Sequence, residues 1–317
     1  MSKEINLISS SLSFLNYPSI SPMSLKDYDI GIIGVPSELG TTEMPGCRYG
    51  PREIRIASQQ YTGHLSEQKK DLSDAWIGDL GDLEVIQGRP IYFVETAQKV
   101  FGQLAEYKKT LAFLGGDHLM TFCSVSGLRK ELIHPPAILW IDAHLDFDDE
   151  YPSGVKYSHA TVLKRLSDLK CIDSGNSVVL GYRGYASRAI AEKRASEAGI
   201  NIFSMQNMRK QSFSSVLEQT IKFLSEAPAI YVSVDIDALD CAYAPGTGVH
   251  EPGGFAPWEL LEVIRSLNTL KTKIIGVDVV EVNPLRDPTG STCSIAAIIL
   301  LELLGVALNT YSHKKKE

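Results

Sequence analysis

Short apolar runs alternate along this chain with longer stretches in which apolar positions recur at helical spacing. The runs Ile30 to Val35, Thr110 to Leu114, Ala137 to Ile141, Ser177 to Leu180, Ile230 to Val234 and Ile274 to Val277 have the length of strands. Ile91 to Tyr107, Ala186 to Ala198, Ser214 to Ser225 and Pro257 to Leu267 read as helices. This alternation predicts an α/β fold in which a mostly parallel sheet is covered by helices. The longest apolar run, Ile295 to Leu308, is short for a membrane span and contains Glu302, so it reads as a buried C-terminal helix. No repeat, low-complexity linker or break in composition divides the 317 residues. One domain is expected over 1–317, with 1–26 as an N-terminal extension and 312–317 as a basic tail.

Nearly every predicted strand ends in residues capable of chemistry. Asp142-Ala143-His144-Leu145-Asp146 follows Ala137 to Ile141, and the two-residue repeat of a strand projects Asp142, His144 and Asp146 from one face. Gly115-Gly116-Asp117-His118 follows a second apolar run and Asp235-Ile236-Asp237 a third. Ligands of open α/β sheets collect outside the carboxyl ends of the strands, which gives this placement a physical meaning. Taken alone, an Asp-x-His is a common surface feature and a Gly-Gly-Asp-His can be a turn with a capping aspartate. Together they put several carboxylates at adjoining strand ends, and burying them without cations would cost several kcal/mol per ion. His118, Asp142, His144, Asp146, Asp235 and Asp237 suffice for two metal ions that share ligands. Asp117 is left to orient the turn or support a ligand. An oxygen-rich set without thiolate favours Mn²⁺, with Ni²⁺ or another divalent ion as the alternative. Two such ions about 3.5–4 Å apart lower the pKa of a shared water from 15.7 towards about 7, so the chemistry implied is hydrolysis.

Composition narrows the setting. With 44% hydrophobic and 22% charged residues, the chain reads as an ordinary soluble protein. A net charge of −7 offers no basic footprint for nucleic acid or an anionic membrane. The five cysteines contain no C-x-x-C pair, which argues against a disulfide framework and fits a reducing compartment. Residues 1–23 lack a basic region followed by a long apolar core, so no signal peptide is indicated and a cytoplasmic location is expected.

These residues resemble the ureohydrolases, the family of arginase, agmatinase and relatives. The match runs in order from Pro45-Gly46-Cys47-Arg48-Tyr49-Gly50-Pro51, through the motifs at 115–118, 142–146 and 233–237, to Ala244-Pro245-Gly246-Thr247-Gly248 and Glu281-Val282-Asn283-Pro284. It covers most of the chain. The resemblance implies a three-layer α/β/α arginase-like fold, two Mn²⁺ ions, hydrolysis of a guanidino group to urea, and a homo-oligomer, commonly a trimer or hexamer. By the same resemblance His118, Asp142, Asp146 and Asp235 hold one metal, His144, Asp142, Asp235 and Asp237 hold the other, and Asp142 and Asp235 bridge. Asp146, His159 and Glu281 form the implied catalytic set. His159 matches a histidine proposed to shuttle protons, and Glu281 a carboxylate that receives the guanidinium fork.

Departures from the family pattern bear on the substrate. Asp148, Val155 and Tyr157 stand among positions where arginases hold an α-carboxylate, and Ala186 replaces the aspartate that receives an α-amino group. A substrate without an amino-acid head is therefore expected, with agmatine leading, because the acidic run Asp148-Asp149-Glu150 would attract a distal ammonium. Arg183 is the counterweight, since an arginine at the mouth would receive a carboxylate and favour a guanidinobutyrase- or guanidinopropionase-like activity. His250 is counted with the substrate contacts. Val249 and His250 replace Thr-Pro after Gly248, and Leu119 replaces serine after the first histidine motif, changes expected to reshape the pocket. A formimidoylglutamase-like hydrolase and a non-catalytic metal-binding protein complete the alternatives.

Overall fold

The computed structural model describes residue 5 and residues 7–311. Among them the strands are β1 (Leu7–Ile8), β2 (Ile30–Val35), β3 (His64–Leu65), β4 (Lys70–Asp71), β5 (Ile77–Leu83), β6 (Thr110–Gly115), β7 (Ala137–Ile141), β8 (Val178–Leu180), β9 (Asn201–Phe203), β10 (Ile230–Asp235) and β11 (Ile274–Val280). Nine of them build one sheet in the order β1-β5-β2-β6-β11-β10-β7-β8-β9, and β3 and β4 form a separate antiparallel pair. Every neighbouring pair in the large sheet is parallel except β1 with β5.

Helices cover both faces, as expected. Helices Pro90–Ala105, Leu119–Leu128, Val162–Asp168 and Ala189–Glu197 contribute to one apolar layer. Gly50–Ser58, Met205–Lys210, Phe213–Ser225, Pro257–Ser266 and Ser291–Ala307 contribute to the other. The last of these, with the helical turn that extends it to Thr310, is long and apolar enough to cross a membrane by length and composition, but 78% of its most apolar stretch is buried inside the fold. Its apolar character on all sides is that of a helix surrounded by protein.

The six predicted strands appear at their expected places, β6, β10 and β11 running one to three residues further. Two sheet strands after the N-terminal segment escaped the pattern. β5 carries Asp79 and Asp82 inside an otherwise apolar run, and β9 is only half-buried. Asp79 is nevertheless buried, because Arg55 grips both of its oxygens at 2.9 Å and the backbone N–H groups of Phe14 and Gly81 donate to it. Arg55 also reaches Asp82 at 2.6 Å and the Gly81 carbonyl at 3.0 Å. The described part of 1–26 is tied in through this cluster and through β1, while the 312–317 tail lies outside the described residues.

The topology sets up the site. β10 and β11, the last two strands, insert between β6 and β7, so that the carboxyl ends of β6, β11, β10 and β7 stand side by side. Segments more than a hundred residues apart thereby meet along one edge.

The buried Arg55–Asp79 pair generates a stability prediction. Arg55→Ala leaves an uncompensated buried carboxylate and should destabilise the fold by about 3–5 kcal/mol. Urea denaturation at neutral pH measures this, and a loss below about 1 kcal/mol would show that the pair does not anchor β5.

Candidate active site

Each expected ligand sits at or just beyond one of these four strand ends. His118 follows β6 and stands immediately before helix Leu119–Leu128, while Asp142, His144 and Asp146 follow β7. Asp235 closes β10, with Asp237 two residues on. Glu281 follows β11, between the two groups.

The side chains gather into two clusters that share Asp142. Ligand atoms of His118, Asp142 and Asp146 lie within 4.8 Å of one another, as do those of Asp142, His144 and Asp237. His118 Nδ1 is 3.2 Å from Asp142 Oδ2, 3.3 Å from Asp146 Oδ2 and 3.2 Å from Asp235 Oδ2. His144 Nδ1 is 3.5 Å from Asp142 Oδ1 and 3.0 Å from Asp237 Oδ2. Asp142 thus offers one oxygen to each cluster. Asp235 offers Oδ2 to the His118 cluster, while its Oδ1 accepts the Asp237 N–H at 2.8 Å.

The donor set fits divalent cations. His118 Nδ1 and Asp142 Oδ2 are buried without a hydrogen-bond partner, although each lies close to atoms of the same cluster. Unpaired polar atoms of this kind are costly in an interior unless a ligand completes them. Burial, together with the charge on Asp142, pushes the Asp146 carboxyl up to about 6. Burial and neighbouring carboxylates also raise Asp235 and Asp237. Burial acts the same way on Asp142, but the close imidazoles of His118 and His144 outweigh it and hold its pKa low. Aspartates that hold protons this readily would release them to cations, which supply the missing positive charge.

A second layer fixes His118. Its ring stacks on Trp140, with centroids 4.0 Å apart and planes 4° from parallel. Its Nε2 is 2.9 Å from Ser233 Oγ, which donates to Asp278 Oδ1 at 2.7 Å. The other Asp278 oxygen accepts from Tyr231 and Thr121 at 2.7 and 2.8 Å. Gly276 makes room for this network, because a Cβ there would fall 2.5 Å from the Tyr231 ring. Such outer contacts orient a ligating imidazole and select which nitrogen faces the metal. Asp278 escaped the sequence reading, although an aspartate inside the apolar run of β11 is itself a signal of a buried, partnered carboxylate.

His159 stands apart from both clusters. Its Nδ1 is 3.3 Å from Glu281 Oε1 and its Nε2 is 2.7 Å from Thr42 Oγ1. Burial alone would lower its pKa, but the hydrogen bond and charge of Glu281, with Asp146 and Asp117 behind, raise it to about 9. Glu281 Oε1 also accepts the His118 N–H at 2.8 Å. Asp117, buried, accepts from the backbone of Gly40 and Leu119 at 2.7 and 3.0 Å, so it orients the turn.

These groups open on a cavity of about 430 Å³, a size suited to a small organic molecule. Its wall includes Asp148, Ala186, Thr247, Val249 and His250, as well as Thr42, Glu43 and Arg286, which sequence reasoning did not single out. Three expectations about the mouth need correction. Arg183 is not part of the wall; its guanidinium donates to the backbone carbonyls of Gly181, Asp237, Leu239, Glu251 and Pro252. The acidic run does not face the mouth as a unit, since Asp149 pairs with Arg165 at 2.7 Å and Glu150 accepts the Gly154 N–H at 3.0 Å. Asp148 alone reaches the wall, and Arg188 stands 3.5 Å from it. Leu119 is buried against the Gly40 loop and does not shape the cavity. Val155 and Tyr157 also lie outside the wall, Tyr157 against the Phe122 ring. His250 does line the cavity, with Nε2 2.7 Å from the Pro245 carbonyl.

Glu251 is a further residue without a sequence signal. It is buried, accepts from the backbone of Tyr185 and Ala186 at 2.8 Å each, and stands 3.9 Å from His144 Nε2. Gly184, at φ 85°, has no space for a side chain against that carboxylate. Glu251 thus ties the loop carrying Ala186 to the metal-ligand side of the cavity.

Comparison with known proteins agrees with this geometry. Residues 28–305 match the model of the Arginase family. The chain is 32% identical to a guanidinopropionase of Pseudomonas aeruginosa, over 92% of this chain and 90% of that protein. It is 31% identical to the mitochondrial agmatinase of Gallus gallus, over 89% and 82%. Among solved structures, the proclavaminate amidino hydrolase from Streptomyces clavuligerus superposes with a TM-score of 0.86 at 29% identity, covering 96% of this chain and 99% of that one.

The shared Asp142 leads to a metal-linked prediction. Adding Mn²⁺ to metal-stripped protein should raise its melting temperature, with a stabilisation of about 2.7 kcal/mol when the ion is at 100 times its Kd. Asp142→Asn should lower the bound metal of both clusters and shrink that shift. Elemental analysis together with thermal melts reads both effects, and a variant that keeps the wild-type metal content would remove Asp142 from its shared position.

Proposed function

Because this chain belongs to the arginase family, we propose that it hydrolyses the guanidino group of a small molecule to urea and an amine, using two divalent cations that we assign as Mn²⁺. The observation that carries this reading is the buried Asp142 carboxylate, turned with one oxygen to each histidine-containing cluster. His118, Asp142, Asp146 and Asp235 would hold one cation, and His144, Asp142, Asp237 and Asp235 the other. When bound, such a pair supplies Lewis acidity and activates water at neutral pH.

The remaining work falls to the protein. Glu281 commits Oε1 to His118 and His159, and its Oε2 lies beside Gly248 on the cavity wall, where a guanidinium N–H can donate to it. That contact fixes the plane of the group under attack, the positioning that converts an encounter into an oriented reaction. Water adds to the central carbon as its bond to the substituted nitrogen breaks, and the departing amine needs a proton. His159 holds one, since Glu281 keeps its imidazole protonated and Thr42 fixes its far nitrogen. Ala186 and Val249 offer no polar partner for an amino-acid head, which supports a substrate without one. The guanidinopropionase and agmatinase named above act on such compounds with opposite distal charges, an acid and an amine.

Incubation of the Mn²⁺-loaded protein with arginine, agmatine and short guanidino acids should release urea from at least one of the latter two classes and least from arginine. His159→Asn should lower kcat by roughly 10²–10⁴-fold with metal content unchanged. Loss of a metal ion in that variant would reassign His159 to the ligand set, and absence of urea from every compound would overturn the reaction.

A further inference from the structure

We propose that Arg286 is a specificity-determining residue that receives a carboxylate at the distal end of the substrate, so that the protein prefers an ω-guanidino carboxylic acid to agmatine. This inference rests on the guanidino-hydrolase reading and names the substrate class of that site. It begins from the charges on the cavity wall beyond the metal-ligand clusters and the Glu281–His159 pair, namely Glu43, Asp148 and Arg286. Asp148, the one acid of the 148–150 run that reaches the wall, is offset by Arg188, which stands 3.5 Å away and lies over the Tyr151 ring at 5.0 Å. Glu43 is exposed at the rim and accepts from the Tyr151 hydroxyl at 3.3 Å.

Arg286 differs from both. It closes the short helical turn Pro284–Arg286 that follows Glu281-Val282-Asn283, and it is half-buried. Its Nε is shielded from solvent and makes no hydrogen bond, and no carboxylate among the described residues forms an ion pair with its guanidinium. Every other arginine in this half of the chain that bears on the site has partners: Arg183 is spent on carbonyls and Arg188 on Asp148. An arginine on the wall of a ligand cavity whose guanidinium no acceptor among the described residues claims is suited to an acid, because its two Nη groups match a carboxylate with two parallel hydrogen bonds. The same charge opposes a distal ammonium. Polarity along the cavity then follows. The guanidino end belongs with Glu281 and the aspartates, and the acid end with Arg286.

The test uses the Mn²⁺-loaded full chain with 3-guanidinopropionate, 4-guanidinobutyrate and agmatine. The wild type should show the higher kcat/KM for one of the two acids. Arg286→Met should lower the ratio of kcat/KM for that acid to kcat/KM for agmatine by roughly 10- to 100-fold, chiefly through KM for the acid, the scale of a lost hydrogen bond to a charged group. Arg286→Glu should invert the preference, and Arg286→Lys, which keeps the charge and loses the fork, should fall between. A ratio that Arg286→Met leaves unmoved, or a wild type that prefers agmatine, overturns the assignment while the hydrolase reading stands. If the wild type releases urea from none of the three, calorimetric binding of 4-guanidinobutyrate decides the role of Arg286, and the hydrolase reading fails if arginine yields no urea either. Binding weakened at least tenfold by Arg286→Met supports that role, and equal binding overturns it.

Discussion

The structure depends on keeping a crowd of acids in one buried place. Asp142, Asp235 and Asp237, with Asp117, Asp278 and Glu281 close behind, occupy the carboxyl edge of the sheet with almost no exposure. Burial, and after it charges so close together, raises the proton affinity of Asp146, Asp235 and Asp237. Two imidazoles and a ring of backbone N–H donors offset part of that repulsion, and cations would offset the rest. The fold meets this constraint by bringing β10 and β11 late into the gap between β6 and β7, so that acids from distant segments share two histidines. A single strand end could not supply donors on every side.

Backbone strain marks the same place. Asp146 and Glu281 adopt φ of 47° and 60°, left-handed conformations that cost a non-glycine residue about 1–3 kcal/mol. Each is held there by contacts on both sides. The Glu281 N–H donates to the Gly116 carbonyl while its side chain accepts from His118, and the Asp146 carbonyl accepts from Lys164. The turn at Asp146 carries its carboxylate back beneath His118, and the turn at Glu281 faces its carboxylate towards His159. Local conformational cost is thus exchanged for a fixed arrangement of reacting groups.

How much of this was legible in the sequence depended on how each element is buried. Strands β2, β6, β7, β10 and β11 are buried on both faces and read as unbroken apolar runs. The ligands just after three of them were legible because strand geometry and metal preference constrain spacing and residue type together. Helix Leu119–Leu128 was not, because all ten of its residues are buried and it has no polar face to set a period. β5 was hidden by Asp79 and Asp82, whose partner Arg55 lies 24 and 27 residues away. The mouth misled for the same reason. Asp149 looks free in sequence, and only the fold brings Arg165 to it.

These two kinds of legibility divide the site. The reacting end is made from strand termini, where register across β7, β10 and β11 fixes side chains to within a hydrogen bond. The recognising end is made from loops and short turns: 42–44, 148 and 151, 186–187, 247–250 and 286. Loops tolerate replacement because few ladder hydrogen bonds constrain them. A substitution in that second set alters charge or width at the mouth without disturbing Asp142. Charge at the mouth must therefore be read from pairing in space. Asp148 with Arg188 beside it is a weaker attractant than its sequence neighbours suggest, and an arginine that no carboxylate has claimed is a stronger one.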